Sequence, residues 1–301
     1  VFDRVLVTGG NGLLGTKTIE LLLAQGRHPI SASLEPDVVN RFLGDFPYHA
    51  LDITDAGAVR GLLSSLRPDA VIHTAAFTAV DACETQRDLS RRVNVDGTAN
   101  VAAACREVGA RLLHISTEYI FDGESGPYRE EDAPRPISHY GLTKLESEKA
   151  VRESCSDWAI ARTTILYGKA PNVRPSFVAW LVGKLECGES VRVVDDQIGS
   201  PTMADNLAQM LLALLDSGYG GVYNTVGDSI IDRHAFSVLA AELFSLDFSL
   251  IERIKTSELN QPAPRPLKAG LVMEKFKRDF PNVPVLTAQE SLELLKSQMG
   301  R

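Results

Sequence analysis

Tyr140 and Lys144 stand four residues apart in Tyr140-Gly141-Leu142-Thr143-Lys144, so a helix there carries a phenol and an ammonium on one face. A phenol ordinarily titrates near ~10, and a neighbouring cation favours the phenolate, which brings the group into range for acid–base work near neutrality. The pair alone says little, because the same spacing recurs on solvated helices. A third group strengthens it. Leu113-His114-Ile115-Ser116-Thr117-Glu118-Tyr119 reads as an apolar strand that ends in hydroxyls, at the edge of the sheet where α/β proteins bind ligands. Thr117 is then placed to donate to a carbonyl or alkoxide oxygen.

Near the N-terminus, Thr8-Gly9-Gly10-Asn11-Gly12-Leu13-Leu14-Gly15 spaces glycines at 9, 12 and 15 between an apolar run and an amphipathic one. In that context Gly9 allows a tight turn, Gly12 lets backbone approach a pyrophosphate, and Gly15 lets the helix pack on the strand. The helix starting at Leu13 and Leu14 offers N–H groups and a positive dipole end to the phosphates. These features predict a nicotinamide dinucleotide, with Lys144 on its ribose. Asp52, followed by Ile53 at the end of the third strand, is placed to accept from the adenine amino group, although alone it reads equally as a helix N-cap. An acidic residue ending the second strand would chelate the ribose hydroxyls of NAD and repel the extra phosphate of NADP. Here that strand ends in Ser33-Leu34, with Glu35 one residue late. NADP(H) is therefore the preferred cofactor, and Glu35 keeps NAD(H) open.

Only a parallel sheet brings these residues to one edge. Short apolar runs at Arg4–Thr8, Pro29–Ser33, Tyr48–Leu51, Ala70–Thr74, Arg111–Ser116 and Trp158–Thr163 alternate with helical periodicity at Leu13–Gln25, Ala56–Leu66, Leu89–Val108 and Tyr140–Ser154. That alternation predicts an α/β fold, a Rossmann-type doubly wound parallel sheet of five to seven strands. The segment Asp122–Ser138 shows neither period and is predicted to be a loop that lines the active site and covers the substrate. Its acidic run Glu130-Glu131-Asp132 reads as a solvated face. After Gly168 prolines break the pattern into a smaller C-terminal substrate-binding lobe. The helix Ala204–Leu215 and strand Val222–Thr225 are expected to return to the sheet. The dinucleotide-binding domain is thus 1–168 with about 203–226, and the lobe is 169–202 with 227–301.

Seven ordered segments carry a resemblance: Thr8–Gly15, Thr74–Asp81, Val93-Asn94, Ser116–Gly123, Tyr140–Lys144, Asp196–Thr202 and Arg265-Pro266. On them, over nearly its whole length, the chain resembles the extended short-chain dehydrogenases/reductases and, within these, the dTDP-4-dehydrorhamnose reductase group. The resemblance implies a catalytic trio of Thr117, Tyr140 and Lys144, with Ala75, Ala76 and Asn94 near the cofactor and Arg162 following the next strand. It implies a nucleoside-diphosphate 4-keto-6-deoxy sugar as substrate, a hydride delivered to its ketone carbon, Tyr140 protonating the alkoxide and Thr117 polarising it. Val80, Glu118, Tyr119, Ile165 and Phe177 would contact the sugar nucleotide.

The chain also departs from that group. Thr164-Ile165 stands where the reductases usually place an aromatic residue, and Ser176-Phe177 where they commonly have Asn-Phe. Lys17 replaces an acidic residue that some members use for a magnesium-bridged dimer, so no metal site is expected. These departures make the chain similar as well to the regulatory subunit of methionine adenosyltransferase, a non-catalytic relative. An epimerase or 4,6-dehydratase is the third reading, weakened because Tyr119 follows Glu118 where dehydratases place a second acid. Arg265, held in Pro264-Arg265-Pro266, reads as a diphosphate contact or as an exposed cation in a stiff turn.

Composition narrows the partners. With a net charge of −8, 44% hydrophobic and 23% charged residues, the chain lacks the basic surface that nucleic acids require. The four cysteines have neither metal nor disulfide spacing, and the six histidines have no ligand spacing; His73 and His114 fall inside apolar strands. No apolar run reaches the ~20 residues of a membrane span. A cytoplasmic monomer or homodimer is the expectation.

Overall fold

Seven short apolar runs form one parallel sheet in the computed structural model, which describes residues 1–300. Arg301, the last residue of the expected lobe, lies outside the described residues. The strands are β1 (Arg4–Thr8), β2 (His28–Ser33), β3 (Tyr48–Ala50), β4 (Ala70–His73), β5 (Arg111–Thr117), β6 (Trp158–Thr163) and β7 (Gly221–Asn224). Their order is β7-β6-β5-β4-β1-β2-β3, all parallel. Connections leave β1 in opposite directions, which opens a crevice between the carboxyl ends of β1 and β4.

The two-residue period of each strand divides the core. Val5 and Val7 face one side with Leu14, Ile19, Leu207 and Leu211, from α1 (Leu13–Ala24) and a helix at Ala204–Ser217. Leu6 faces the other with Val59, Leu63, Val101 and Val151, from α2 (Ala56–Leu66), α3 (Thr98–Val108) and α4 (His139–Ser154). That later helix, α5 (Ala204–Ser217), and β7 return to the sheet after an excursion. Lys17 ties α1 to α5 through Asp205 at 3.0 Å, so the position where some relatives carry an acid holds an internal ion pair.

A third cluster lies outside the sheet. Tyr167, Leu181, Phe236 and Leu292 pack around the parallel pair Val191–Val194 and Ile251–Ile254. The helix Arg233–Leu243 there is capped by Asp232, whose carboxylate accepts from Ala235 N at 2.8 Å.

Two expectations are corrected. The continuous helix Leu89–Val108 is instead a short helix Arg87–Arg91, a π-helical turn Arg92–Gly97 and α3. The wide turn swings Asn94 inward, fully buried. No residue of the loop 122–138 lines either of the two cavities described below; instead Glu130 accepts the Asn224 N–H at 2.9 Å and Tyr128 N donates to Gly270 O at 2.8 Å. The loop is thereby fastened to the end of β7, and Glu130 is a half-buried cap rather than part of a solvated face.

Candidate active site

The glycine turn carries the first part of the site. Gly9 has φ +71°, and a Cβ there would stand 2.7 Å from Ala75 N; at Gly15 it would stand 2.3 Å from Gly9 O. Both positions are therefore closed to side chains. A Cβ on Gly10, which the spacing argument passed over, would meet Ser31 Oγ at 2.1 Å. Gly12 is different, since a Cβ there has only Gly9 O at 3.2 Å and is otherwise open to the groove. It is also the N-cap of α1 and caps nothing through a side chain, so the first-turn N–H groups of Leu13, Leu14 and Gly15 have no partner among the described residues. A bare, donor-rich turn of this kind fits a dinucleotide pyrophosphate.

From the turn a groove of about 1040 Å³ runs across the strand ends. Ser33, Asp52, Ile53, Ala75, Ala76, Val80 and Ile165 line it. Ser33 Oγ accepts Asn11 N–H at 3.0 Å, and Asn11 Nδ2 reaches Glu35 Oε2 at 3.3 Å. Asp52 Oδ1 accepts from Thr54 N and Oγ1 at 2.9 and 2.8 Å. Asn94 does not face the groove. Its Oδ1 accepts Phe77 N–H at 2.7 Å and its Nδ2 donates to Thr143 Oγ1 at 3.1 Å, so it braces the 74–80 loop against α4 from behind.

The other end of the groove holds Thr117, Tyr140 and Lys144. Thr117 ends β5 and caps the short turn Glu118–Ile120. Ser138 starts α4 by accepting Gly141 N–H at 3.1 Å. A Cβ on Gly141 would lie 2.1 Å from Tyr119 O, and its absence lets the first turn of α4 press on that turn, which sets Tyr140 beside Thr117, whose hydroxyl acts on the phenol. Lys144 Nζ donates to Ile115 O at 2.8 Å and lies 3.3 Å from His114 Nε2. Beneath it His114 and His73 stack at 5.3 Å, and burial holds both imidazoles neutral.

The electrostatics differ from expectation in one respect. Burial lowers Lys144 to about 8, while burial and the nearby Glu118 and Tyr119 push the Tyr140 phenol up rather than down. The proton thus stays on the phenol, as a proton donor requires. Glu118, 6% exposed, is raised to about 7 by burial, against the opposing pull of the Thr117 hydrogen bond and Arg233.

Beside this end opens a smaller cavity of about 310 Å³, lined by Tyr119, Phe177, Trp180, Arg192, Arg233 and Arg265 among others. Arg265 is paired through both terminal nitrogens with Asp81, at 2.8 and 2.9 Å, and so is not an exposed turn residue. It clamps the C-terminal segment to the first turn of the short helix Val80–Thr85. Arg233 was not singled out from the sequence. Its guanidinium lies 4.8 Å from the Phe177 ring, its Nε has no partner among the described residues, and it borders both cavities. The Asp232 cap signals a helix start in the sequence, but nothing local says that this start faces the groove. Arg162 lies elsewhere, buried against Glu148 at 2.8 Å.

The family described as RmlD substrate binding domain matches residues 3–298. A dTDP-4-dehydrorhamnose reductase of Streptomyces griseus is 36% identical over 282 residues, which are 91% of this chain and 87% of its own. The methionine adenosyltransferase 2 subunit beta of Xenopus tropicalis is 31% identical over 281 residues, 91% of this chain and 82% of its own. Among solved structures, dTDP-4-dehydrorhamnose reductase from Bacillus anthracis in complex with NADP has a TM-score of 0.88 at 30% identity, covering 99% of this chain and 100% of that one.

Proposed function

The chain belongs to the RmlD substrate-binding-domain family, and from that membership we propose that it is an NADPH-dependent reductase of a dTDP-linked 4-keto-6-deoxy sugar. The observation that carries this reading is the juxtaposition of Thr117, Tyr140 and Lys144 at one end of a groove whose other end is the glycine turn. Similarity leans the same way, since the reductase of Streptomyces griseus is 36% identical and the methionine adenosyltransferase subunit 31%. The intact proton-transfer trio favours the enzyme.

When bound, the reduced nicotinamide supplies a hydride; the rest is done by side chains. Gly9, Gly12 and Gly15 seat the pyrophosphate on the start of α1, and Lys144, held by Ile115 O, takes the ribose. Tyr140 gives its proton to the oxygen that was the ketone, and Thr117 orients that oxygen. In the smaller cavity Trp180 and Phe177 offer faces to the base, while Arg233 and Arg265 offer positive charge to the diphosphate. Ser33 in place of a carboxylate supports NADPH, as does the Bacillus anthracis relative in complex with NADP; Glu35 leaves NADH as a slower donor.

The test is oxidation of NADPH that depends on a dTDP-4-keto-6-deoxy sugar. Tyr140→Phe is expected to lower turnover by about 10²–10⁴-fold while cofactor affinity stays the same. Full turnover in that variant would refute the assignment of Tyr140. No ketone-dependent oxidation by the native protein, together with binding to a methionine adenosyltransferase catalytic subunit, would establish the regulatory reading instead.

A further inference from the structure

Thr117 is needed to turn its hydroxyl toward substrate, yet in the structure its single proton goes elsewhere. Thr117 Oγ1 donates to Glu118 Oε2 at 2.6 Å and accepts Tyr119 N–H at 3.3 Å, and it lines the same end of the groove as Tyr140, on whose phenol it acts. A hydroxyl has one proton and two lone pairs. With Glu118 ionised, the threonine proton is held by the carboxylate and the lone pair left over draws the Tyr140 proton. Neither acidic proton then faces the groove. With Glu118 protonated, the carboxyl O–H donates to Thr117 Oγ1 and fills that lone pair, so the Thr117 and Tyr140 protons are both released toward the ketone oxygen.

We propose that Glu118 is a positioning residue that gates the reduction through Thr117, permitting it when protonated and blocking it when ionised. The inference rests on reading the groove as a ketone-reducing site. Glu118 borders the groove at 6% exposure, so the hydrogen bond is largely shielded from water. The groups that face the carboxyl are Thr117 and Tyr119 on its own segment, Tyr140 from α4, and Arg233 from the C-terminal segment. Arg265 and Asp81 act on Tyr119 from one step further away. Burial brings the carboxyl to about 7, so both forms exist near neutrality.

The substrate itself sets the gate. Among the described residues Arg233 is the one cation that pulls Glu118 toward its ionised form, and its Nε is unpartnered beside the smaller cavity. A diphosphate that settles on Arg233 offsets that pull. Glu118 then takes a proton from solvent as the sugar nucleotide binds, which frees Thr117 only when there is something to reduce. No bond to carbon changes in this step; one proton moves from water to a carboxylate.

Two measurements test it. The first is the pH dependence of kcat/KM for ketone-dependent NADPH oxidation by the native protein and by Glu118→Gln. The native efficiency should fall about tenfold per pH unit above the Glu118 transition, near 7. The amide that Glu118→Gln introduces donates to Thr117 at every pH, so the variant should hold its efficiency until Lys144 loses its proton near 8. The second is calorimetry of dTDP-glucose binding in buffers of different ionisation enthalpy. This ligand has no ketone, and its diphosphate diester has no proton to lose near neutrality. The native protein should take up as much as one proton, and the variant none. An alkaline limb shared by both proteins, or binding of dTDP-glucose to the native protein without proton uptake, would overturn the proposal. Absence of any ketone-dependent oxidation would strike the proposed reaction instead, and the calorimetry would still report on Glu118.

Discussion

Two glutamates are buried beside the same strand, and their surroundings are opposite. Glu148, on α4 one turn beyond Lys144, receives Arg162 through Nε at 2.8 Å and a terminal nitrogen at 2.9 Å, with Ser116 at 2.7 Å and Arg152 at 3.0 Å. Its carboxylate is saturated. Glu118, at the end of β5, has one hydroxyl at 2.6 Å and, among the described residues, no ion pair with the arginine nearest to it in charge. The first arrangement joins α4 to β5 and β6 and fixes the helix that bears Tyr140 and Lys144. The second leaves a proton equilibrium open beside those residues. Saturated partners make a buried carboxylate structural, and a shortage of them keeps it chemically available.

The sharpest way to break this contrast is to remove Arg162. Arg162→Ala strands a buried charge, and urea unfolding should show a loss of about 3–5 kcal/mol; a loss under about 1 kcal/mol would mean that Glu148 was never dependent on its partners. Arg233→Ala should act on binding instead. Calorimetry should show sugar-nucleotide affinity lower by about 10–100-fold, as expected for lost charge-assisted hydrogen bonds, with NADPH affinity unchanged. Equal losses for both ligands would indicate a misshapen groove and remove Arg233 from the diphosphate site.

The smallest effect is on stability at Glu118, and its sign depends on pH. Folding raises the carboxyl from the usual 4.5 to about 7, so its contribution is complete below the lower value and is lost as pH rises through the upper one. Glu118→Gln should therefore melt a few degrees higher than the native protein at about pH 8 and within about a degree of it at about pH 5. A difference independent of pH would show that the carboxyl does not titrate in the folded protein.

The sheet was legible because strands buried on both faces must be apolar runs, and the six expected runs all pair in register. The glycine turn was legible for a local reason at Gly15, whose close contacts are Gly9 and Gly10 of its own turn, and at Gly9, whose φ of +71° the tight turn requires. Gly10 answers to Ser31 across the sheet, and no spacing within the turn announces that. Asn94 was placed near the cofactor by the resemblance alone, and the structure sets it in a π-helical turn, behind the 74–80 loop. Arg233 is harder still. Its role depends on where the start of a distant helix lands, a property of packing between segments that no local pattern records. The loop 122–138 looked like a lid by length alone, and its hydrogen bonds to Asn224 and Gly270 spend it on architecture.

Gly141 sets how far the protein is free to vary. The proton donor is registered against Thr117 by the backbone of α4 lying on Tyr119 O, with no side chain between them. That distance does not depend on the volume or shape of any residue around the sugar, so positions such as Ile165 and Phe177 can drift toward new substrates without moving the tyrosine. Innovation at the pocket wall is separated from the chemistry at its floor, and the residue that separates them contributes nothing but a hydrogen atom.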